Sequence, residues 1–182
     1  MLLLGATPGG RHTEQHDVFF GIAETLKDLI PDIKESWPEA GDNIHIDAWR
    51  EVHFVDGYNV QVYEKNKLTP MGAQKEIRLF FLNLGGYKQN EFEEFHYKML
   101  VASENKSIAI RRAKETAFYK HTGFKEAPSH IHDKYEVDVD DVFEIEDILP
   151  KHIKENYSVV LSPTNNTIED KINLGYFQLH KL

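Results

Sequence analysis

The chain has 182 residues and no cysteine, which excludes disulfides and thiolate chemistry. Its formal net charge of -9 disfavours nucleic acid as a partner, because the phosphate backbone is negative as well. Its apolar and charged fractions, 41% and 28%, are ordinary for globular proteins and exclude a disordered or fibrous class. There is no run of about 20 apolar residues that could span a bilayer and no signal-peptide pattern, so we expect a cytoplasmic protein without a membrane partner.

Short apolar runs predict the first strands. Residues 2–7 and 17–23 are two such runs. A third strand is predicted from Ile44, where apolar and polar residues alternate with the period of two of a half-buried strand. Asp56 and Gly57 follow, and this dipeptide favours a tight hairpin turn into a fourth strand.

A helix is predicted between the second and third strands. Thr25 and Asp28 have the spacing of a capping box, and apolar residues then recur with helical spacing. Pro31 removes one helical hydrogen bond, so we expect it to kink or split the segment.

The second half of the chain repeats this order. Five blocks align in sequence, and the aligned pairs include Gly9 with Gly85, Gly10 with Gly86, His16 with His96, and His45 with His130. The helical segment of the second copy, "SIAIRRAKETAF", has no proline and supports the helix in both copies.

We therefore predict an α+β fold of two tandem ββαββ repeats, with mixed sheets that each carry one helix on a face. Residues 1–64 form the first repeat, 65–77 the linker, 78–149 the second repeat and 150–182 a C-terminal extension with further strands that packs on the repeats. A pseudo-two-fold arrangement of the repeats would bury a shared apolar interface within one chain, so we expect a monomer rather than a homodimer.

Paired glycines after the first strand of each copy are candidate ligand-binding residues. A glycine-rich loop can bring backbone N–H groups close to a phosphate, which singles out Gly9, Gly10, Gly85, Gly86 and Tyr87. No Gly-Lys-Ser/Thr sequence follows them, so turns that need positive φ are the favoured interpretation.

Histidines at the starts of strands are the candidate metal ligands. If the strands on either side of each helix are parallel neighbours, His16 lies near His45, and Asp47 shares the face of His45. The second copy would bring together His96, His130 and His132. Such sets suit zinc or non-haem iron, but a histidine that only hydrogen-bonds a loop carbonyl is the favoured alternative, and we predict no cofactor.

Several short motifs together resemble one known family. They are "LGG" after the first strand of the second copy, "EQHDVFF" and "EFHYKMLVA" in the second strands, "HIDAW" and "VDGY". This combination resembles the bacterial family described as domain of unknown function 1543, over residues 2 to about 149. The first copy departs from the family pattern at Arg11, and the second at His132. The resemblance implies one or two copies of the unit and no particular activity.

The sequence favours a binding or interaction module without catalysis, whose partner is an unidentified small molecule or protein. The alternative is a metal-dependent enzyme of the hydrolase or oxygenase type that uses the histidine clusters with zinc or iron. A third possibility is that the duplicated unit serves only as an assembly surface.

Overall fold

A computed structural model describes residues 1–67, 77–87, 90–121, 138–166 and 168–182. The elements in chain order are β1 (Leu2–Ala6), β2 (Gln15–Phe19), α1 (Ile30–Ser36), β3 (His45–Trp49), β4 (Phe54–Val55), β5 (Tyr58–Glu64), β6 (Arg78–Tyr87), β7 (Glu94–Ser103), α2 (Lys106–His121), β8 (Asp138–Glu144), α3 (Ile145–Ile148), α4 (Lys151–Asn156), β9 (Tyr157–Pro163) and β10 (Asn173–Gln178).

The first sheet has the strand order β10, β3, β1, β2. Alternate residues of β1, Leu2, Leu4 and Ala6, are buried on the face that packs against α1. Ile33 of α1 is fully buried in this core. The sheet and the helix thus enclose the first apolar core of the chain.

Pro31 splits the helical segment between β2 and β3, as predicted. Thr25 and Asp28 form the capping box, with the backbone N–H of Thr25 donating to Asp28 Oδ2 at 3.1 Å. A short 3-10 helix at Lys27–Leu29 follows, and α1 begins at Ile30 with the proline in its first turn, where no helical hydrogen bond is lost.

The second sheet has the strand order β7, β6, β8 and is covered by α2. Ala109 and Ala113 of α2 are fully buried with Phe80 and Leu82 of β6, so α2 confirms the predicted helix of the second copy and packs on the sheet through an apolar stripe. Small side chains on this stripe let the helix lie close to the sheet.

The third sheet has the strand order β4, β5, β9. Asp56 and Gly57 form the predicted turn between β4 and β5, with positive φ values of 50° and 81°. A further core lies between this sheet and the second sheet, and it includes Phe81 of β6 and Leu161 of β9. The C-terminal strands β9 and β10 pair with β5 and β3.

Two details of the predicted repeat are corrected. Among the described residues the sheets are not mixed, because each strand pairing is antiparallel. Strands β2 and β3 do run parallel to one another, but they lie on opposite sides of β1 and do not pair. In the second half, Asp140 and Asp141 lie inside the continuous strand β8 where a turn was expected, and α3 and α4 follow in place of a hairpin.

Within the described ranges, no helix is both long enough and apolar enough to cross a membrane.

Candidate metal centre

Gly5 of β1 lies beneath the first cluster of potential metal ligands. It pairs with His16 on β2 and with His45 on β3, so both histidines project from the same face of the sheet. Because glycine has no β-carbon, the space above it is open to neighbouring side chains. A Cβ added at Gly5 would lie 2.5 Å from His45 Nε2 and 2.5 Å from Asp47 Oδ2.

An irregularity in β3 brings Asp47 into this cluster. Leu3 and Leu4 of β1 pair with Ala48 and Ile46, which leaves Asp47 as the extra residue of a β-bulge. Its carboxylate contacts both histidines: Oδ1 lies 3.2 Å from His45 Nε2, and Oδ2 lies 3.2 Å from His16 Nε2.

Glu14, just before β2, closes the cluster from the other side. Its Oε1 lies 3.1 Å from His45 Nε2, and its Oε2 lies 3.6 Å from His16 Nε2. Glu14 and Asp47 therefore each bridge the same two imidazoles. We call the four residues Glu14, His16, His45 and Asp47 the first cluster.

The hydrogen bond of His45 shows which of its nitrogens faces the carboxylates. Nδ1 lies 3.3 Å from the backbone oxygen of Asn43, and because a carbonyl oxygen can only accept, Nδ1 is the donor. In the neutral imidazole Nε2 then carries a lone pair, which faces the oxygens of Glu14 and Asp47. Either a second proton on the ring or a cation between these atoms is needed to offset their repulsion. A ring N–H donated to a backbone carbonyl is also the arrangement found behind metal-bound histidines.

Asp47 differs from a nearby aspartate that has a purely structural role. Oδ2 of Asp47 is buried and has no hydrogen bond. Asp170 also contacts a histidine, His53, at 3.4 Å, but its Oδ2 accepts the backbone N–H groups of His53 and Phe54 at 2.9 and 3.1 Å. Asp170 thus binds backbone N–H groups, whereas the Asp47 carboxylate contacts the imidazoles of His16 and His45.

The single contacts in the first cluster have the spacing of zinc ligands, but no three of its four residues, all of them described, have potential ligand atoms within 4.8 Å of one another, so three of them could bind one ion only after the side chains move. Two ligands of a tetrahedral zinc ion lie about 3.4 Å apart, because zinc binds nitrogen and oxygen at about 2.0 to 2.2 Å. The four contacts between imidazole and carboxylate atoms span 3.1 to 3.6 Å. The four contacts link the four side chains in a ring. A single ion would therefore bind on one side of this ring, or it would draw the four side chains closer together.

Gly85 of β6 has the same pattern of strand pairing as Gly5 of β1. Gly85 pairs with His96 on β7 and with the backbone of Asp138 on β8, and a register shift leaves Asp140 as the extra residue between Val139 and Asp141. Gly85 is therefore the counterpart of Gly5, and Asp140 is the counterpart of Asp47.

A second cluster stands over Gly85. His96 Nε2 lies 3.4 Å from Asp140 Oδ2 and 3.9 Å from Glu94 Oε2. We call Glu94, His96 and Asp140 the second cluster. Among the described residues they are the set of three whose potential ligand atoms all lie within 4.8 Å of one another.

The structure brings together some of the predicted site residues and separates others. His16, His45 and Asp47 meet in the first cluster, whereas His96 meets Asp140 and Glu94. The other expected partners of His96, His130 and His132, lie outside the described residues.

The predicted glycine pairs lie in different structural settings. Gly10 lies in a turn after β1 with a φ of 82°, in agreement with a turn that needs positive φ, and Gly9 precedes it. Gly85 and Gly86 lie within β6 and Tyr87 is its last residue, so this pair is not a loop after a strand. The structural counterpart of Gly85 is Gly5 and not Gly9, because the pairing partners of the two strands correspond in that register.

Three acidic residues of the two clusters were missed at the sequence level: Glu14, Glu94 and Asp140. A signal for the glutamates was available, because each copy has a glutamate two residues before its strand histidine, Glu14 before His16 and Glu94 before His96. Residues two apart on a strand share a face, so this pattern places each glutamate beside its histidine.

A cleft of about 630 Å³ adjoins the first cluster. Glu14 and His45 contribute to its wall, together with Lys34, Tyr176 and His180. The ring of Tyr176 packs on the imidazole of His45 with the centroids 4.3 Å apart. The cluster is therefore accessible from the cleft, although the His45 side chain itself is only 6% exposed.

Residues 11–62 match the model of the family described as Domain of Unknown Function (DUF1543), which supports the family resemblance over that region. All four residues of the first cluster lie within the matched span. No curated protein matches the chain significantly.

The fold is similar to a crystal structure of a protein, Il1583, from Idiomarina loihiensis. The TM-score is 0.62 at 19% sequence identity, and the match covers 98% of this chain and 94% of that chain. At this identity the likeness shows the fold alone, a mixed α+β structure.

Proposed function

We propose that this protein is a binding module that holds a divalent transition-metal ion of the zinc type at the first cluster. The observation that carries the proposal is the geometry of His45. This side chain is buried, its Nδ1 donates to the backbone of Asn43, and its Nε2 faces two carboxylates at 3.1 and 3.2 Å. Imidazole and carboxylate are ligands that zinc accepts in proteins.

Further support comes from the space over Gly5 and from the contacts of Asp47. Gly5 leaves the space that the His45 imidazole and the Asp47 carboxylate occupy, and Asp47, the bulge residue of β3, contacts both histidines. Oδ2 of Asp47 is buried and makes no hydrogen bond, and it lies 3.2 Å from His16 Nε2. A buried carboxylate oxygen loses its hydration, so a positive charge at this contact is needed to stabilise it. A bound cation would supply that charge.

Zinc titration of protein purified without a polyhistidine tag tests the proposal. We expect His45→Gln to weaken the binding of Zn²⁺ at least tenfold, since loss of a mere supporting contact already costs about 10- to 100-fold. Asp47→Asn should act in the same direction. A chromophoric chelator that competes for Zn²⁺ provides the measurement.

His53→Gln is the matched control, because His53 also lies between two carboxylates, Glu51 at 3.5 Å and Asp170 at 3.4 Å. It should leave the zinc affinity unchanged. Equal zinc affinities of the wild-type protein and His45→Gln would refute the proposal, and the contacts of the first cluster would then have a structural role only.

A metal-dependent hydrolase is the second candidate function. The cleft of about 630 Å³ beside the first cluster favours it, since a substrate could reach a bound ion from there. The side chains of Glu14 and His16 are 45% and 42% exposed, which leaves room for water. Hydrolysis of p-nitrophenyl phosphate or p-nitrophenyl acetate by zinc-loaded wild-type protein, and its loss in Asp47→Asn, would favour the enzyme over the pure binding module.

We also propose that the chain contains two copies of one unit. The three strands around Gly5 follow the spatial order β3, β1, β2, and the three around Gly85 follow the corresponding order β8, β6, β7. In both sheets the bulge residue is an aspartate, Asp47 or Asp140, and it lies two residues after the residue that pairs with the glycine. A pseudo-two-fold relation between the copies, a monomeric state and a cytoplasmic location stay predictions.

A further inference from the structure

We propose that Glu94, His96 and Asp140, the second cluster, form a separate cation site that takes a harder divalent ion of the Mn²⁺ type. This site goes beyond the zinc site proposed at the first cluster and does not depend on it. It lies on the second sheet, whereas the first cluster lies on the first.

Its geometry is compact. One ligand atom from each of the three side chains lies within 4.8 Å of the other two, and His96 Nε2 is 3.4 Å from Asp140 Oδ2. Two ligands of an octahedral ion at Mn²⁺-like bond lengths of about 2.2 Å lie roughly 3.1 Å apart when adjacent and about 4.4 Å apart when opposite. The cluster therefore needs only small side-chain rotations to surround one ion.

Gly85 leaves the space that the Asp140 carboxylate of the second cluster occupies. A Cβ at Gly85 would collide with Oδ2 of Asp140, so the carboxylate occupies a position that only glycine leaves free. The neighbouring Gly86 has no atom within 4 Å of its corresponding Cβ position. The requirement for glycine is thus specific to the residue beneath the cluster.

An unpartnered oxygen lies on the same face of β6. Asn83 is two residues from Gly85, and residues two apart on a strand project to one side of the sheet. Its Oδ1 is buried and has no hydrogen bond.

The donor set decides the class of ion. The second cluster offers one imidazole and two carboxylates, whereas the first offers two imidazoles and two carboxylates. Oxygen-rich sets suit Mg²⁺, Ca²⁺ and Mn²⁺, and the single imidazole favours Mn²⁺ among these. The three side chains are 34% to 39% exposed, so water can complete the coordination.

Electron paramagnetic resonance of Mn²⁺ tests this site, because the six-line signal of the free ion is lost on binding. The titration uses MnCl₂ and the full chain carrying His45→Gln, which removes a ligand of the first cluster. We expect one Mn²⁺ ion to bind per chain. Adding Asp140→Asn should weaken this binding at least tenfold.

Asp141→Asn is the matched control, because Asp141 is the next residue of β8 and pairs with Asn83. It should keep the Mn²⁺ affinity of its parent. Glu94→Gln and Glu93→Gln give a second matched pair on the other side of the cluster, where only the first should weaken binding. Circular dichroism verifies that each variant folds.

The proposal would be overturned if the six-line signal of free Mn²⁺ persisted at millimolar concentrations of protein, because the ion would then not bind. Equal Mn²⁺ affinities of Asp140→Asn and Asp141→Asn would also overturn it. These outcomes are distinct from a failure of the zinc site, which appears as equal zinc affinities of wild-type protein and His45→Gln. Each site can fail while the other stands.

Discussion

Gly5 and His45 face each other across β1 and β3, and the imidazole lies over the position that a side chain on Gly5 would fill. An added Cβ would stand 2.5 Å from Nε2 of His45. The glycine therefore does not serve a turn, because it lies within β1, one residue before the last residue of the strand. Its role is to leave space above β1 for the His45 imidazole and the Asp47 carboxylate.

Gly5→Ala tests this relationship. The new methyl group must displace His45 or Asp47, whose atoms lie too close for any ordinary contact. We expect the zinc affinity to fall at least tenfold, while the protein still folds, because the His45 side chain borders the cleft beside the cluster and can move into it. The chelator competition assay used for His45→Gln gives the affinity.

Gly9→Ala is the control for Gly5→Ala, since its Cβ would have no atom within 4 Å. It should bind zinc as the wild-type protein does. If Gly5→Ala retained the wild-type zinc affinity, the position of His45 over the glycine would have no importance for a bound metal.

Part of the first cluster could be predicted from the sequence, and strand geometry explains why. The period of two places His45 and Asp47 on one face, and the crossover through α1 makes β2 and β3 run in the same direction. Their first residues therefore lie at the same end of the sheet. The sequence did not reveal that β1 lies between them, nor that Gly5 leaves the space that His45 and Asp47 occupy.

Asp140 of the second cluster could not be predicted, because the register of a strand pair is a tertiary property. The segment before β8 can be aligned without a gap to the segment of His45, and this alignment selects His130. The bulge in β8 and its pairing with β6 instead place Asp140 over Gly85. Alternation identifies a strand and its faces, but it does not identify the residue opposite each position.

Gly85→Ala should disrupt the second cluster as Gly5→Ala disrupts the first. The added Cβ would collide with the Asp140 carboxylate, which must then turn away from His96. In the His45→Gln background we expect the Mn²⁺ affinity to fall at least tenfold by electron paramagnetic resonance. Gly86→Ala is the neighbouring control without a predicted effect, and equal losses in the two variants would point to a general disturbance of β6.

Thr25→Ala should destabilise the folded protein by about 1 kcal/mol, the usual cost of losing a capping side chain. The Thr25 hydroxyl donates to Asp28 Oδ2 at 2.6 Å and accepts the backbone N–H of Asp28 at 3.4 Å, and both bonds are lost. Urea unfolding gives the difference in the free energy of unfolding. Thr25→Ser keeps the hydroxyl and should stay within a few tenths of a kcal/mol of wild type, whereas equal stabilities of all three proteins would show that the box is dispensable.

Phe81→Ala should be among the most destabilising single substitutions in the chain. Phe81 is buried in the core between the second and third sheets, and its ring lies 5.4 Å from that of Phe20, which directly follows β2 of the first sheet. The substitution opens a cavity where the first sheet meets this core, and cavities of this kind cost about 3 to 5 kcal/mol. Phe92 is fully exposed, so Phe92→Ala should change the free energy of unfolding by less than about 0.5 kcal/mol. Urea unfolding of both variants measures the contrast, and a loss below about 1 kcal/mol in Phe81→Ala would mean that the contact between Phe20 and Phe81 does not join the first sheet to this core.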